Sequence, residues 1–438
     1  MFRSLLDQLL RHPLVSHPAI QRRVRRVQRE INTRRFFREG PRRRGSPRAP
    51  VFVIVNHCYD LDLDALCAAP GDYTLWVFDP FTMFPDIHYF FPPGQRDLDC
   101  VYGEGPMRAS IERYKEQLVR PLVRHLIRET ELDALIASSD VFYYLRPIIE
   151  ELRTNGIPTI VQDKEGTIAP GPIMDKHARL LAERYPPIAD QYYVWNETHR
   201  DFWHRAGMAI ERMHILGQPR SDFFFHRERW PSKASMGLSS NKKLVVVFTF
   251  DTDAYLRATG PMESRPWQDL RDATHDVVRE LARERDDVEV VIKAHPQQEQ
   301  LAEIQTEFAH PPPNVKVITG AASASHLMVH ADVIVGFQST AMIEAMLTPA
   351  PVFYVGWGPR HAELADALIP IHTSGGCIVP AGRDDFAQQL RRGLAGELAP
   401  STNVKRARKA FTDRYFFEAD GHCAERVLQA AARYARHS

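Results

Sequence analysis

Several sequence marks of common functions are absent from this chain of 438 residues. The lack of G-x-G-x-x-G and P-loop motifs argues against NAD-dependent enzymes and P-loop NTPases, and no G-x-S-x-G elbow supports Ser-His-Asp catalysis. The sequence contains no run of eighteen or more apolar residues, so we predict no transmembrane helix. No secretory signal peptide is evident, because Asp7 and Arg11 interrupt the short apolar run at the start.

Cysteine is scarce and follows no pattern. Its residues are odd in number and lack CxxC spacing, which favours free thiols in a reducing cytosol over disulfides or a zinc site. They are Cys58, Cys67, Cys100, Cys377 and Cys423. The run of Asp60, Asp62 and Asp64 is interpreted as the acidic first turn of a helix over Asp60–Leu66, so we predict no metal site there.

The net charge of +1 hides an uneven distribution. Residues 1–50 contain 14 Arg and three acids, which gives about +11, and the remaining residues carry about −10. Apolar residues recur among the arginines at helical spacing, which predicts a helix over Met1–Gly40, followed by a turn-rich linker. This basic arm either lies on an anionic membrane surface, docks on the acidic body of its own chain, or is a solvated helix.

Short apolar strands alternate with helices from residue 51 onward, as in parallel sheets that are covered on both faces. The predicted strands are 51–55, 74–78, 132–138, 158–162, 191–195, 213–217, 243–250, 288–293, 315–318, 332–336 and 351–355. The predicted helices include 107–130, 141–154, 267–285, 323–330, 339–347 and 404–438, the last with an interruption at 416–421.

A polar break at 231–241 separates two such runs. The sequence therefore predicts an α/β fold with two Rossmann-like domains that face a cleft. The predicted divisions are the arm at 1–50, a first domain at 51–230, a second domain at 231–405 and a C-terminal helix at 406–438.

Ligands of open α/β sheets bind where strands end in loops, and the strand over 288–293 ends in Lys293, His295 and Pro296. A lysine and an imidazole at this position can donate hydrogen bonds to a phosphate oxygen. Such a bond to a charged group contributes about 1.5–3 kcal/mol. The alternative interpretation is a surface histidine in a turn.

A second strand end leads through Gln338 into a helix that begins at Ser339 or Thr340 and contains Glu344. The two hydroxyls and the first backbone N–H groups of that helix are suited to an anion. The alternative interpretation is an ordinary serine N-cap.

Two further strand ends carry charged residues. Asp163, Lys164, Glu165 and Gly166 follow the strand at 158–162, where a carboxylate can act as general base or form a local ion pair. Arg220 follows the strand at 213–217, where it can bind phosphate or serve a structural role at a hinge.

Together these features resemble the capsule-type glycosyltransferases of bacteria, which include the polysialyltransferases and the Kdo transferases of capsule and lipopolysaccharide assembly. The shared features are a carboxylate-Gly loop, a strand-end His-Pro and a Ser-Thr helix start, in that order over residues 50–430. The related CDP-glycerol glycerophosphotransferases have a similar arrangement. The segment Gly217-Gln218-Pro219-Arg220-Ser221-Asp222 and the closing run at 415–421 also look similar.

The resemblance implies a GT-B fold, with the nucleotide donor mainly on the second domain and the acceptor mainly on the first. It implies that His295 binds the donor phosphate beside Lys293, Ser339 and Thr340, and that Glu165 is the base. Asp163 is the second choice, because Lys164 stands where the family has its first acidic residue. We assign Pro296, Gln338, Arg220 and Glu344 to the same donor-nucleotide site, and His295 is also a candidate catalytic residue. It also implies no tightly bound metal or cofactor, and an enzyme of the cytoplasmic membrane face.

Three functional hypotheses remain open from the sequence. The first is transfer of a sugar from a nucleotide-activated donor, such as a CMP-sugar, to a surface polysaccharide or glycolipid. The second is transfer of a polyol phosphate from CDP-glycerol or CDP-ribitol. The third is a non-catalytic α/β protein whose basic arm binds nucleic acid or membrane, although the acidic body argues against a nucleic-acid groove.

Overall fold

The predicted alternation of strands and helices is confirmed in a computed structural model of the chain. The structure describes residues 37–39, 49–56, 60–96, 100–166, 168, 171–253, 265–294, 300–319 and 323–437. The strands are β1 Phe37–Glu39, β2 Val51–Val55, β3 Thr74–Phe78, β4 Ala134–Ala137, β5 Thr159–Gln162, β6 Gln191–Val194, β7 Met213–Ile215, β8 Lys243–Phe248, β9 Val288–Lys293, β10 Val315–Ile318, β11 Val333–Gly336 and β12 Val352–Tyr354.

The α-helices lie between these strands and after them. They are α1 Asp60–Ala68, α2 Phe84–Phe90, α3 Gly105–Tyr114, α4 Arg120–Thr130, α5 Arg146–Thr154, α6 Pro172–Arg184, α7 Glu197–Arg205, α8 Gln268–Glu284, α9 Leu301–Glu307, α10 Ala324–Met328, α11 Thr340–Ala345, α12 Pro359–Leu364, α13 Arg383–Leu394, α14 Thr402–Phe416 and α15 Cys423–His437.

The first sheet has the strand order β1-β3-β2-β4-β5-β6-β7. The pairs formed by β2, β3, β4 and β5 are parallel, as predicted. β1 instead runs antiparallel to β3, with Phe37 opposite Phe78. The predicted helix over Met1–Gly40 is therefore wrong at 37–39, where pairing with the edge of β3 satisfies backbone groups that a helix would satisfy internally. The rest of that prediction lies outside the described residues.

Two predicted helices of the first half differ from the structure in detail. The helix predicted over 107–130 is α3 and α4 joined by a π-helical turn, Lys115–Val119. Pro121 has no N–H for the regular ladder at this point, which accounts for the local change in winding. The helix predicted from Val141 begins only at Arg146 and ends, as predicted, before Asn155-Gly156.

The second sheet contains β8 to β12 in the order β10-β9-β8-β11-β12, and all of its pairs are parallel. The strands β8, β9, β11 and β12 are almost entirely buried and rich in valine and isoleucine, as expected for a parallel sheet with both faces covered, whereas the edge strand β10 is only half-buried after Val315. Because the strands are parallel, their carboxyl ends lie along one edge, and this edge positions the predicted site residues.

The chain divides into two compact units. Unit 1 contains the described parts of 1–164 together with 183–192 and 427–437, and unit 2 contains those of 165–182 and 193–426. Each unit has its own apolar core. One core joins β2 and β4 to α2, α3, α4 and α5, and the other surrounds the second sheet.

The remaining expectations concern the surface and the cysteines. Within the described ranges, no helix combines the length and the apolar character needed to cross a membrane. Cys67, Cys100, Cys377 and Cys423 are free thiols, and Cys58 lies outside the described residues.

Candidate functional site

Lys293 ends β9 at the carboxyl edge of the second sheet, as predicted. Its side chain is buried, and its Nζ donates to the carbonyl oxygen of Ala294 at 2.7 Å. Burial lowers the pKa of this ammonium group below its usual value. His295 and Pro296, which complete the predicted motif, lie outside the described residues.

Strand β11, which β8 separates from β9 in the sheet, leads into the predicted serine-threonine helix start. Ser339 is the N-cap of α11, and its Oγ accepts from the backbone N–H of Ala341 at 3.2 Å. The predicted start at Ser339 or Thr340 is thus confirmed. Ser339 therefore has the N-cap role that the sequence analysis gave as the alternative to anion binding.

Gln338 is held inside unit 2 by both ends of its amide. Its Nε2 donates to the hydroxyl of Tyr354 at 2.8 Å and to the carbonyl of Ile369 at 2.9 Å, and its Oε1 accepts from the N–H of Ile369 at 2.9 Å. These bonds tie the loop after β11 to β12 and to the segment around residue 369. They leave the amide little capacity for the predicted contact with a donor.

Arg220 and Glu344 form an ion pair, although 124 positions separate them in the sequence. The Nε of Arg220 donates to the Oε1 of Glu344 at 3.0 Å, and the Nε2 of Gln218 donates to the same oxygen at 2.9 Å. The Glu344 carboxylate is nearly buried, whereas the Arg220 side chain keeps about a fifth of its exposure. Glu344 is therefore an anchor that fixes the guanidinium of Arg220 to α11, of which it is the fifth residue.

Trp195 lies under the same guanidinium. The Cζ of Arg220 is 5.0 Å from the ring centroid, within the range of a cation–π contact. Gly166 also packs on Trp195, so closely that a Cβ added to the glycine would overlap the indole ring. The glycine of the predicted carboxylate-Gly loop is thus in one packed group with Arg220.

The two other segments that carried the resemblance also meet in unit 2. The carboxylate of Asp222 accepts from the backbone N–H groups of Cys423 and Ala424 at 2.9 and 2.8 Å, at the start of α15. Asn196 donates through Nδ2 to the carbonyl of Tyr415 at 2.7 Å and to that of Gly166 at 3.2 Å. The Asp222 contact thus joins the segment after β7 to the start of α15, and the Asn196 contact joins the segment at 415–421 to the end of β6.

The two candidate bases differ in environment. Glu165 is exposed, whereas Asp163 is only 5% exposed. Between them, Lys164 extends its Nζ to 5.9 Å from the ring centroid of Phe142. The structure gives Asp163 the buried setting and Glu165 the accessible one, and the choice between them stays a prediction.

A histidine pair lies beyond the carboxyl end of β12. The Nε2 of His361 is 3.1 Å from the hydroxyl of Tyr354, and the rings of His361 and His372 are 5.0 Å apart. Burial, together with the neighbouring His372, lowers the pKa of His361 to about 4. Burial also lowers the pKa of His372, whose Nδ1 is buried without a hydrogen-bond partner in the described part of the chain.

The aspartates at 60, 62 and 64 belong to α1, as predicted, and Asp60 and Asp62 lie in its first turn. Among the residues that the structure describes, no group of three or more His, Cys, Asp or Glu side chains is arranged to hold a metal ion.

Sequence reasoning missed Gln218, Trp195 and Asn196 as site residues. All three follow the carboxyl ends of β7 or β6. The search for polar and charged residues at strand ends, which selected Arg220 and Lys293, could therefore have found them as well. Their importance is visible only once the fold brings Glu344 and Gly166 to them.

Comparisons with known proteins complete the description. A family model described as CDP-glycerol:poly(glycerophosphate) glycerophosphotransferase matches residues 175–432, more than half of the chain. This range includes Arg220, Lys293 and Glu344 but not Asp163 or Glu165. No curated protein sequence matches the chain.

Three solved structures resemble the fold. They are the H444N variant of the wall teichoic acid polymerase TagF (TM-score 0.53, 12% identity, 100% of this chain and 97% of that chain), the MnaA–UDP co-structure from S. aureus (0.51, 12%, 89% and 97%) and UDP-GlcNAc 2-epimerase from Neisseria meningitidis bound to UDP-GlcNAc (0.50, 11%, 88% and 100%). At these identities the likeness shows the fold alone, an α/β fold of the GT-B type with two parallel sheets.

Proposed function

Because the chain belongs to the CDP-glycerol:poly(glycerophosphate) glycerophosphotransferase family, we propose that it transfers a polyol phosphate from a CDP-activated donor to a hydroxyl group of a polyol-phosphate or glycan acceptor. The family match favours this hypothesis over transfer from a CMP-sugar, which was the first reading of the sequence. It gives no support to a specifically polysialyltransferase-like or Kdo-transferase-like activity.

The observation that carries the proposal is the arrangement of Arg220. Its guanidinium is fixed by Glu344 on one side and by the face of Trp195 on the other, while part of it stays exposed. A planar guanidinium suits the paired oxygens of a phosphate. We propose that Arg220 binds the diphosphate of the donor, together with Lys293, His295 and the hydroxyls of Ser339 and Thr340.

The reaction is written for CDP-glycerol. The acceptor hydroxyl oxygen attacks the β-phosphorus, which carries the glycerol. A new phosphorus–oxygen bond forms, and the bond between that phosphorus and the oxygen bridging the two phosphates breaks. CMP leaves with the bond electrons, and the hydroxyl proton passes to a carboxylate, for which Glu165 and Asp163 are the candidates.

Negative charge grows on the departing CMP oxygen as this bond breaks. A positive group already fixed in place stabilises that charge without reorganisation during the reaction. The ion pair with Glu344 and the contact with Trp195 restrict Arg220 in this way. No step of the proposed reaction calls for a tightly bound cofactor.

The test is a transfer assay with full-length protein and an oligo(glycerol phosphate) acceptor. The donors are CDP-glycerol and CDP-ribitol labelled with ³²P in the β-phosphate, and CMP-sialic acid, CMP-Kdo and UDP-GlcNAc labelled in the sugar. We expect ³²P in the acceptor from a CDP-polyol and no label from the sugar donors. Transfer from a sugar donor alone would overturn the proposal in favour of sugar transfer.

The assignment of Arg220 needs its own variant. Arg220→Lys keeps the charge but loses the planar fork and most of the contact with Trp195. We expect donor binding to weaken by about tenfold, because one charge-assisted contact is worth about 1.5–3 kcal/mol. Arg360→Lys, at an exposed pair with Glu363, is the matched control and should bind the donor normally.

A further inference from the structure

A row of polar residues closes the carboxyl end of the first sheet in unit 1. The strands β2, β4 and β5 pair in parallel, with Ile54 opposite Ile136 and Ile136 opposite Ile160. Two positions further along each strand come Asn56, Ser138 and Gln162. These three residues therefore lie side by side at the ends of three adjacent strands. We call these three residues the polar row.

The polar row faces away from the first core. Val55 and Ala137, the preceding residues of β2 and β4, belong to that core. Because side chains alternate between the faces of a strand, Asn56 and Ser138 point to the opposite face. The row is the polar end of apolar stripes formed by Ile54, Ile136 and Ile160.

Two members of the row have buried polar atoms that no hydrogen bond satisfies in the described structure. Gln162 is 0% exposed, and neither its Oε1 nor its Nε2 has a partner. The Oδ1 of Asn56 is also buried and unpartnered. Each such group costs about 1–3 kcal/mol. Native proteins contain few of them, and each calls for an explanation, of which a ligand that supplies the missing partners is one.

The orientation of the Asn56 amide is fixed by its neighbour. Its Nδ2 donates to the Oδ1 of Asp60 at 2.9 Å, and a carboxylate accepts only from the nitrogen end. The oxygen of Asn56 is therefore the free end. The row offers two free acceptor atoms, from Asn56 and Gln162, and one free donor from Gln162.

The charges next to the row decide which ligand fits it. Three carboxylates adjoin the row: Asp60 bonds Asn56, Asp163 follows Gln162, and Asp140 lies two residues after Ser138. Asp140 is buried and holds the N–H groups of Ile188 and Ala189 at 2.7 and 2.9 Å. These negative charges disfavour a phosphate.

Cations near the carboxylates offset part of this charge: the Nη1 of Arg146 donates to the carbonyl oxygen of Asp140 at 3.4 Å, and Lys164 follows Asp163. The free acceptors of the row add to the effect of the carboxylates, because an ionised phosphate brings only acceptor oxygens and would leave the Oδ1 of Asn56 without a donor. The row therefore combines an excess of free acceptors with several nearby carboxylates. Both properties suit the O–H groups of an uncharged ligand.

We propose that the polar row binds an uncharged polyol group through its hydroxyls, with Gln162 and Asn56 as the residues that select it over a phosphate group. The proposal rests on the proposed function for one point only, namely that this group is the hydroxyl end of the acceptor. Gln162 is then a specificity residue for the acceptor and has no part in donor binding.

The first test uses Gln162→Met, which keeps the length of the side chain and removes both polar atoms. We expect the KM for a hydroxyl-terminated oligo(glycerol phosphate) acceptor to rise about tenfold, the KM for CDP-glycerol to stay unchanged, and the melting temperature to stay equal or rise. Gln388→Met, on the exposed side of α13, is the control for activity.

Gln338→Met provides the contrast in stability. Gln338 is a buried glutamine whose amide is fully bonded, so its replacement should lower the melting temperature. If Gln162→Met lowers it in the same way and leaves the acceptor KM unchanged, the row is structural and the proposal is wrong.

The second test is independent of turnover. Saturation-transfer NMR on the full-length protein compares ribitol with glycerol 3-phosphate as probes. We expect transfer to ribitol in the wild type, weaker transfer to glycerol 3-phosphate, and loss of the ribitol signal in Gln162→Met. No ribitol signal in the wild type, or an equal signal in the variant, overturns the polar-row proposal even where CDP-glycerol is turned over. Failure of CDP-polyol transfer with a normal ribitol signal overturns the proposed function instead.

Discussion

The Nε of Arg220 is 3.0 Å from the Oε1 of Glu344 while its guanidinium carbon is 5.0 Å from the ring centroid of Trp195. The carboxylate fixes the direction of the guanidinium, and the indole fixes its plane. The geometry thus presents a restrained cation tied to α11, the helix at whose start the sequence predicted phosphate binding.

Replacement of Glu344 should loosen this cation. Glu344→Gln keeps the shape but leaves Arg220 and Gln218 with a neutral oxygen in place of a carboxylate. We expect the dissociation constant for CDP to rise about tenfold and the unfolding free energy to fall by about 1–2 kcal/mol. Calorimetric titration and urea unfolding measure the two effects.

The matched control is Glu363→Gln. Glu363 pairs with Arg360 at 2.9 Å on the exposed surface of the same unit, where an ion pair contributes about 0–1 kcal/mol. A Glu344→Gln protein that binds CDP as tightly as this control would remove Arg220 and its anchor from the donor site.

Gly166 makes a second prediction about the same group of residues. Its backbone lies against Trp195, and an added methyl group would overlap the ring. Trp195 is fully buried. We therefore expect Gly166→Ala to lower the melting temperature by several degrees, which corresponds to overpacking by about 1–3 kcal/mol, and to reduce turnover.

Gly382→Ala is the control for this substitution. Gly382 has an extended backbone and open space around the position of a Cβ. Its replacement should leave stability and turnover near the wild-type values. Equal melting temperatures for the two variants would contradict the close packing of Gly166 on Trp195.

The sequence predicted the elements well because the information for them is local. Buried strands such as Val288–Lys293 are continuous apolar runs, and helix boundaries such as Ser339 and Asn155-Gly156 are set by caps within a few residues. The failure at Phe37–Glu39 has the opposite cause. That segment is a strand only because the edge of β3 is available to it, and no local pattern reports this.

In the candidate site, too, the local features were predicted from the sequence and the contacts between distant residues were not. The sequence placed Arg220 after a strand and Glu344 within the helix at 339–347, and assigned both to direct donor binding. Only the fold shows that Glu344 binds Arg220 across 124 positions. Likewise, nothing local distinguishes Gln338, whose amide is satisfied, from Gln162, whose amide is not. Hydrogen-bond satisfaction depends on distant partners, so it is not readable from spacing.

The identity of the base is decided by a pair of conservative substitutions. Glu165→Gln and Asp163→Asn each remove one carboxylate that can take the acceptor proton. We expect Glu165→Gln to reduce kcat by at least about a hundredfold, a typical contribution of general base catalysis, with CDP binding unchanged.

A different result assigns the role to the buried carboxylate. If Asp163→Asn loses turnover at an unchanged melting temperature and Glu165→Gln does not, Asp163 is the base. If neither substitution changes kcat, neither carboxylate is the base.

Acid should destabilise unit 2 through the histidine pair. The folded-state pKa of His361, about 4, lies below its ordinary value of 6.5. The unfolded chain therefore binds protons first as the pH falls. The contribution of neutral His361 is fully present above about pH 6.5 and is lost between there and about pH 4. His372 has a shift in the same direction and adds to the effect.

Urea unfolding between pH 4.5 and pH 7.5 measures this dependence. We expect His361→Gln to flatten the fall in unfolding free energy toward acid, at some cost in stability at neutral pH from the lost contact with Tyr354. His310→Gln, on the exposed surface, should keep the wild-type slope. An unchanged slope in His361→Gln would show that other groups cause the acid sensitivity.

The basic arm is best tested by a deletion that ends at residue 36. Phe37–Glu39 pair with β3, so a longer deletion would remove a strand of the first sheet and confuse loss of the arm with loss of structure. Residues 1–36 contain nine Arg. Basic residues contribute about 1 kcal/mol each near an anionic lipid surface, so the deletion should weaken vesicle binding by more than a hundredfold.

Co-sedimentation with vesicles of phosphatidylglycerol, and of phosphatidylcholine as the uncharged control, measures this loss. We expect transfer to a soluble acceptor to survive, because the strand-end residues proposed for the reaction lie beyond residue 50. Vesicle binding that survives the deletion would place the membrane contact elsewhere in the chain. Loss of turnover at an unchanged melting temperature would give the arm a role in the reaction itself, and loss of DNA binding alone would favour the nucleic-acid hypothesis.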